Sequence, residues 1–193
     1  MIFLKKNISI SLLVAYTAKD RVIGAQGKIP WFISSERDRF KSICRGKYVI
    51  IGRKSFEEIG KPLSYCTLVV ISKSLKSVPE GCLLCKSFKK AVKMIYKFEK
   101  AGGKNPSCGK DLISGEKSSK PSGPGKTEIL VAGGEEIYRK ALPLADCIYA
   151  TEIKKEFAGD KFFPNLDGRW EKKTEKECCD GGIEYDYVLF TKG

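Results

Sequence analysis

The sequence predicts an α/β fold: a mixed, mostly parallel eight-stranded sheet with about four flanking helices, finishing in an antiparallel C-terminal edge strand. Three observations point there. Short apolar runs rich in Val, Ile and Leu, which suit a sheet covered on both faces, alternate with helical patterns. Two of these runs pass directly into glycine and then into a helix start. The last two flank Asp180-Gly181-Gly182, which is good hairpin-turn chemistry.

In chain order, strands are expected at Ile8–Tyr16, Tyr48–Ile51, Thr67–Ser72, Cys82–Leu84, Glu128–Ala132, Cys147–Ile153, Glu171–Cys178 and Ile183–Thr191. Helices are expected at Ser35–Cys44, Ser55–Ile59, Phe88–Lys100 and Glu135–Leu142. Lys5-Lys6 ahead of Ile8–Ala18 has the charge and apolarity of a secretory signal, but the run reads as a buried first strand, because the loop Ile23–Trp31 uses it as scaffold. A chain of 193 residues suits a single domain with one core, and no internal repeat is visible. Lys100–Lys126 has six lysines among Gly, Ser and Pro, with Asp111 and Glu116, and is expected to be a mobile surface insertion at about 101–126.

Composition narrows the chemistry. There is no histidine, which removes Ser-His-Asp and Cys-His catalysis and His-ligated metals. Acid–base work must therefore rest on a carboxylate, Lys, Tyr, Cys or water. The eight cysteines read as reduced thiols of a cytoplasmic protein, since the chain is too large to need a disulfide framework. Cys82-x-x-Cys85 and Cys178-Cys179 do not make a zinc site, because adjacent strand side chains point to opposite faces, and no metal is expected. The net charge of +13 suits nucleic acid or polyanionic small molecules. No apolar run is long enough to span a bilayer.

The two strand-to-helix turns are Ile51-Gly52-Arg53-Lys54-Ser55 and Ala132-Gly133-Gly134-Glu135. Glycine admits close backbone approach, and free N–H groups at a helix start favour an anion, so two such turns in one sheet suit a dinucleotide's pyrophosphate. Neither matches G-x-G-x-x-G, so an ordinary Rossmann site is not supported. Glu135-Glu136 complements its helix dipole but would repel a close phosphate. Between the first strand and first helix lies Ile23-Gly24-Ala25-Gln26-Gly27-Lys28-Ile29-Pro30-Trp31, a polar loop of lid type. Glu36 follows in the first turn of the helix, where on spacing alone it simply complements the dipole.

These residues resemble the dihydrofolate reductase family over nearly the whole chain outside the insertion. The matching pieces are Asp20-Arg21-Val22-Ile23-Gly24, Ile29-Pro30-Trp31, Glu36-x-x-x-Phe40, Gly52–Leu63, Val70-Ile71-Ser72, Gly133-Gly134-x-x-Ile137-Tyr138, Tyr149-x-Thr151 and Gly159-Asp160-x-x-Phe163-Pro164. The resemblance implies a dihydrofolate-reductase-like fold and hydride transfer from NADPH to C6 of a pterin, with dihydrofolate the first substrate. It places Glu36 against the pterin's N3 and 2-amino group, with N5 protonated from water nearby. It implies that Thr151 orients Glu36, Trp31 orders the water and Tyr138 sits against the nicotinamide ring. Phe40, Ile59 and Leu63 would line the folate channel, with the Val14 and Tyr16 backbone as its floor. Tyr16, Ile23, Gly24, Gly52, Arg53, Lys54, Ser55, Ser72, Gly133 and Gly134 would meet the cofactor, and Lys73 its 2′-phosphate.

Two positions depart from the family. Cys66 stands where an arginine grips the α-carboxylate of the folate tail, and Arg37 stands beside Glu36 where an apolar residue is usual. Either the tail contact is lost, or Arg37 or Lys41, on one helical face, has taken it over. A reductase of the same fold acting on a tail-less pterin or a flavin-pathway pyrimidine is the alternative, and a basic nucleic-acid-binding protein a remote one. The expected molecule is a cytoplasmic monomer.

Overall fold

In a computed structural model, the structure describes residues 8–102 and 126–193. Lys5-Lys6 and nearly all of the expected insertion lie outside the described residues. The main sheet has eight strands in the order β5-β4-β3-β6-β1-β7-β10-β9. They are β1 (Ile8–Thr17), β3 (Tyr48–Gly52), β4 (Thr67–Ile71), β5 (Cys82–Cys85), β6 (Thr127–Val131), β7 (Cys147–Ile153), β9 (Trp170–Asp180) and β10 (Ile183–Lys192). All neighbours from β5 to β7 are parallel. Strand β10 is antiparallel to both β7 and β9, so the sheet ends in an antiparallel hairpin with β9 on the edge. Gly181 and Gly182 turn that hairpin at φ values of 58° and 74°, a left-handed pair that glycine adopts without steric cost.

Helices α1 (Ser34–Cys44), α2 (Arg53–Ile59), α3 (Phe88–Lys100) and α4 (Glu135–Ala141) cover the two faces. The period of two along each strand decides which helices meet which residues. On one face Leu12, Ile50, Val69, Ile129 and Ile148 pack with Ala91, Val92 and Ile95 of α3 and Ile137, Tyr138 and Ala141 of α4. On the other, Leu13, Val49, Leu68, Leu130 and Tyr149 pack with Phe40, Ile43 and Cys44 of α1 and Phe56 and Ile59 of α2. Among the described residues, no helix is long and apolar enough to cross a membrane.

A carboxylate is buried on the α1 face. Glu128 of β6 pairs with Lys47 at 2.7 Å and accepts from Ser11 at 2.5 Å and Tyr149 at 3.3 Å. These partners supply the donors that a carboxylate withdrawn from water requires.

Two short strands had no periodicity to betray them. Val22–Gly24 (β2) pairs antiparallel with Lys161–Phe162 (β8) as a separate ribbon. It ties the polar loop after β1 to the Gly159-Asp160 motif: Asp160 N–H donates to Gly24 O at 3.0 Å, and Gln26 N–H donates to Asp160 Oδ1 at 3.0 Å. A Cβ at Gly159 would stand 2.3 Å from Val22 Cγ1, so no larger residue fits without moving the ribbon.

Candidate active site

The chain leaves β3 toward β4 on one side of the sheet and leaves β6 toward β7 on the other, although β3 and β6 are neighbours. Connections that part in this way open a crevice at the carboxyl ends of the strands, the usual ligand position in open α/β sheets. Gly52 and Gly133 meet there: Gly52 N–H donates to Gly133 O at 2.8 Å. A Cβ on Gly133 or Gly134 would lie 3.5 Å from Ser55 Oγ, and Gly133 also has a φ of 112° that disfavours any side chain. The Gly133-Gly134 peptide is cis. Two backbone turns and a hydroxyl thus converge on one small, glycine-lined cradle.

Charges of both signs surround this cradle: Glu135 and Glu136 open α4 directly after Gly134, with Glu135 paired to Arg139 at 2.6 Å. Arg53 and Lys54 open α2, with Arg53 paired to Glu57 at 2.8 Å. Ser72 follows β4 with its hydroxyl turned back to accept from Ser74 N at 3.2 Å and Leu75 N at 3.0 Å, which builds a tight turn and presents Lys73 to solvent. Lys54 and Lys73 enter no ion pair among the described residues. The small glycine lining and the lysines of the cradle fit a phosphorylated dinucleotide.

Glu36 lies in the first turn of α1. Burial raises its carboxyl above the ordinary value, and Arg39 pulls it back down. The same carboxylate acts on Tyr138 of α4, whose phenol is pushed up first by burial and then by Glu36 and Cys44. The Tyr138 hydroxyl donates to Leu13 O at 2.7 Å, and the ring lies 3.5 Å from where a Cβ of Gly133 would be. Tyr138 thus lies against the Gly133 turn and near enough to Glu36 to feel its charge.

Other expected site residues are placed as follows. Phe40, Ile59 and Leu63 are partly buried on the α1 face of the sheet. The side chains of Val14 and Tyr16 face α3 and α4, leaving their backbone to the crevice, and Tyr16 stacks on Phe163 at 5.3 Å and donates to Glu152 at 2.8 Å. Trp31 packs against Phe157 at 5.4 Å, and Ile23 and Gly24 lie in β2.

Three further residues singled out in the sequence have these surroundings. Thr151, taken as the orienter of Glu36, has Arg39 as its partner: its hydroxyl accepts from Nη1 at 3.1 Å. Arg37 is exposed on the outer side of α1, with its Cζ 5.4 Å above the Phe32 ring. Cys66 is only 1% exposed in the α1-face core, where burial pushes its thiol up to about 12, so it presents nothing to a substrate.

Sequence reasoning also missed the cap on α1. Its N-cap residue, Ile33, has no side-chain acceptor to offer. Asp180 at the tip of the β9–β10 hairpin takes that role, with its Oδ2 accepting from Ser35 N at 3.0 Å and Ser35 Oγ at 2.7 Å. Tyr185 hydroxyl lies 2.5 Å from Ser35 Oγ on the other side. A hairpin residue capping a helix 145 positions away leaves no local signature.

The comparisons agree with this geometry. A fold of this topology, with a glycine-lined crevice and a half-buried carboxylate in the first turn of α1, is that of a nucleotide-dependent reductase of the α/β class. The sequence profile described as dihydrofolate reductase matches residues 9–105 and 109–192. Dihydrofolate reductase of Haemophilus influenzae is 34% identical over 165 residues, 86% of this chain and 83% of its own length. The type A13 dihydrofolate reductase of Escherichia coli is 32% identical over 180 residues, 93% of each chain. In fold, the structure is similar to dihydrofolate reductase from Enterococcus faecalis complexed with NADP(H) and RAB-propyl, with a TM-score of 0.73 over 96% of both chains at 23% identity. The chain belongs to the dihydrofolate reductase family.

The Asp180 cap has a pH signature. The N–H and hydroxyl of Ser35 hold its carboxyl below the ordinary value of 3.8. A depressed acid stabilises the fold fully above its unfolded pKa and loses that contribution as pH falls through the folded value. Asp180→Ala should therefore melt at a lower temperature than wild type at about pH 6, and the difference should shrink as pH falls below the ordinary carboxyl value of 3.8. Equal melting temperatures throughout this range would mean that the cap contributes nothing.

Proposed function

We propose that Glu36 is the carboxylate on which this chain's reduction of 7,8-dihydrofolate to 5,6,7,8-tetrahydrofolate depends. The observation that carries this reading is the placement of Glu36 in the first turn of α1, with Tyr138, which feels its charge, lying against the Gly133 cradle. NADPH, when bound, supplies the hydride. The residues of the chain supply everything else. Gly52, Gly133, Gly134 and Ser55 admit the phosphate-bearing part of the cofactor, and Lys54 and Lys73 offset its charge.

Glu36 accepts from the amidine edge of the pterin, and its negative charge favours the proton that N5 must acquire from water. Trp31 and the loop tied down by Asp160 limit how much water reaches the carboxylate. A cytoplasmic monomer is the setting in which we place this activity.

The folate tail calls for a second step, since Cys66 is in the core. Arg37 and Lys41 lie one turn apart on the exposed side of α1, over the rings of Phe32 and Tyr65 at 5.4 and 5.9 Å. A carboxylate leaving the pocket beyond Glu36 meets these cations first, and we assign the tail to them.

Loss of NADPH absorbance with dihydrofolate, and separately with a tail-less dihydropterin, tests the whole reading. Glu36→Gln should keep the fold and lose about a hundredfold or more in kcat/KM near neutral pH, because an amide cannot support the developing charge. Near-wild-type turnover in that variant would return Glu36 to the role of a helix-dipole partner.

Lys73→Ala should weaken NADPH about tenfold and leave NADH unchanged, since only NADPH carries a 2′-phosphate for the ammonium to meet. Equal losses with both cofactors contradict the assignment.

For the tail, wild type should prefer dihydrofolate over dihydropterin by about tenfold or more, and Arg37→Ala should abolish most of that preference. A wild type with no preference would favour the tail-less substrate instead.

A further inference from the structure

We propose that Arg39 is a positioning residue of this reductase site: its guanidinium stands one turn from Glu36 on the same helical face and ties the carboxylate's helix to the row of strands beneath it. The inference rests on the reductase reading, but no part of that reading requires it.

The geometry is specific. Residues three apart on a helix are neighbours, so Glu36 and Arg39 share the inner side of α1. Arg39 Nη1 donates to Ala150 O at 3.2 Å and to Thr151 Oγ1 at 3.1 Å, both on β7. Its Cζ lies 4.2 Å above the ring of Tyr187 on β10, and Nη2 reaches Glu175 on β9 at 3.6 Å. Ala15, Thr151 and Tyr187 are in register across β1, β7 and β10, so the guanidinium spans one continuous row. The Arg39 side chain is 12% exposed, against 43% for Glu175, so the contacts on β7 and β10 hold it and the rim carboxylate adds less.

Two consequences follow for the site. A threonine hydroxyl has one proton and two lone pairs, and a guanidinium can only donate. With Arg39 occupying the acceptor side, the Thr151 proton is turned elsewhere, toward a carboxylate or a ligand in the crevice. Arg39 also places a positive charge beside Glu36 in a region of low polarity, where it favours the ionised carboxylate that a pterin amidine needs. The charged and titratable groups around this pair are Tyr138 on α4, Cys44 on α1, Tyr149 on β7, Tyr187 on β10 and Glu175 on β9. Arg39 is the cation among the causes that act on Glu36, and it opposes burial there. Its removal therefore moves the Glu36 titration upward.

The test separates charge from packing. The Glu36 carboxyl is titrated by infrared difference spectroscopy, assigned with Glu36→Gln, and the pH profile of kcat/KM with dihydrofolate is recorded beside it. Arg39→Gln keeps an amide donor for Thr151 and Ala150 but loses the charge. It should raise the Glu36 pKa by about one unit or more and carry the acid limb of the profile with it. Arg39→Lys keeps the charge and should restore both toward wild type. Should Arg39→Gln fail to fold, Glu175→Gln provides the second arm: removing the carboxylate that competes for the guanidinium should move the Glu36 titration downward. A Glu36 titration unmoved in every folded variant, with only melting temperature affected, would overturn the proposal and leave Arg39 a structural clamp. A wild type inactive on dihydrofolate would instead sink the reductase reading, while the infrared titration still judges Arg39.

Discussion

Withdrawing a carboxylate from water is unfavourable unless something nearby prefers it charged, and much of this structure is arranged around that difficulty at Glu36. Burial drives its proton affinity up, and Arg39 opposes burial from one turn along the helix. The guanidinium is itself partly desolvated and is held by two oxygens of β7, the Tyr187 ring and Glu175. The helix start is then fixed from outside by Asp180. Three layers of support, from helix, strands and hairpin, lie behind one acidic side chain.

The cofactor cradle depends on a different constraint, the close approach of two backbone turns. Strands β3 and β6 pair through Tyr48, Val49 and Ile50, and beyond that point their chains separate to opposite sides of the sheet. Glycine at 52, 133 and 134 lets the backbones remain in contact after the ladder ends. Tyr138 of α4 is fixed against Gly133 by its hydrogen bond to Leu13 O of β1. The geometry thus follows from strand order first and from side chains second.

The eight main strands and four helices were legible because short apolar runs alternate with helical patterns along the chain; α3, for example, was placed at Phe88–Lys100 and is found there. The ribbon of β2 and β8 was not, since strands of three and two residues show no alternation. Glu36, the glycines and Tyr138 could be named from motif resemblance. Arg39 was passed over because, in sequence, a basic residue on a charged helix looks like solvated surface; its spacing of three from Glu36 was the available clue. Asp180 read correctly as a turn residue, and its second role as a cap depends on tertiary contact alone. Cys66 was located in the right place on the chain, but its orientation toward the core could be learned only from packing.

The hairpin cap couples the site to the order in which the protein is made. Ser35 and Asp180 are separated by 145 positions, so the helix carrying the carboxylate is synthesised early and receives its cap only when almost the whole chain is available. During translation the cofactor half, which closes at β6, can assemble while the start of α1 is still unanchored. Competence to bind substrate is therefore acquired late, and a nascent or C-terminally trimmed chain would hold a nearly complete sheet around a loosely placed acid.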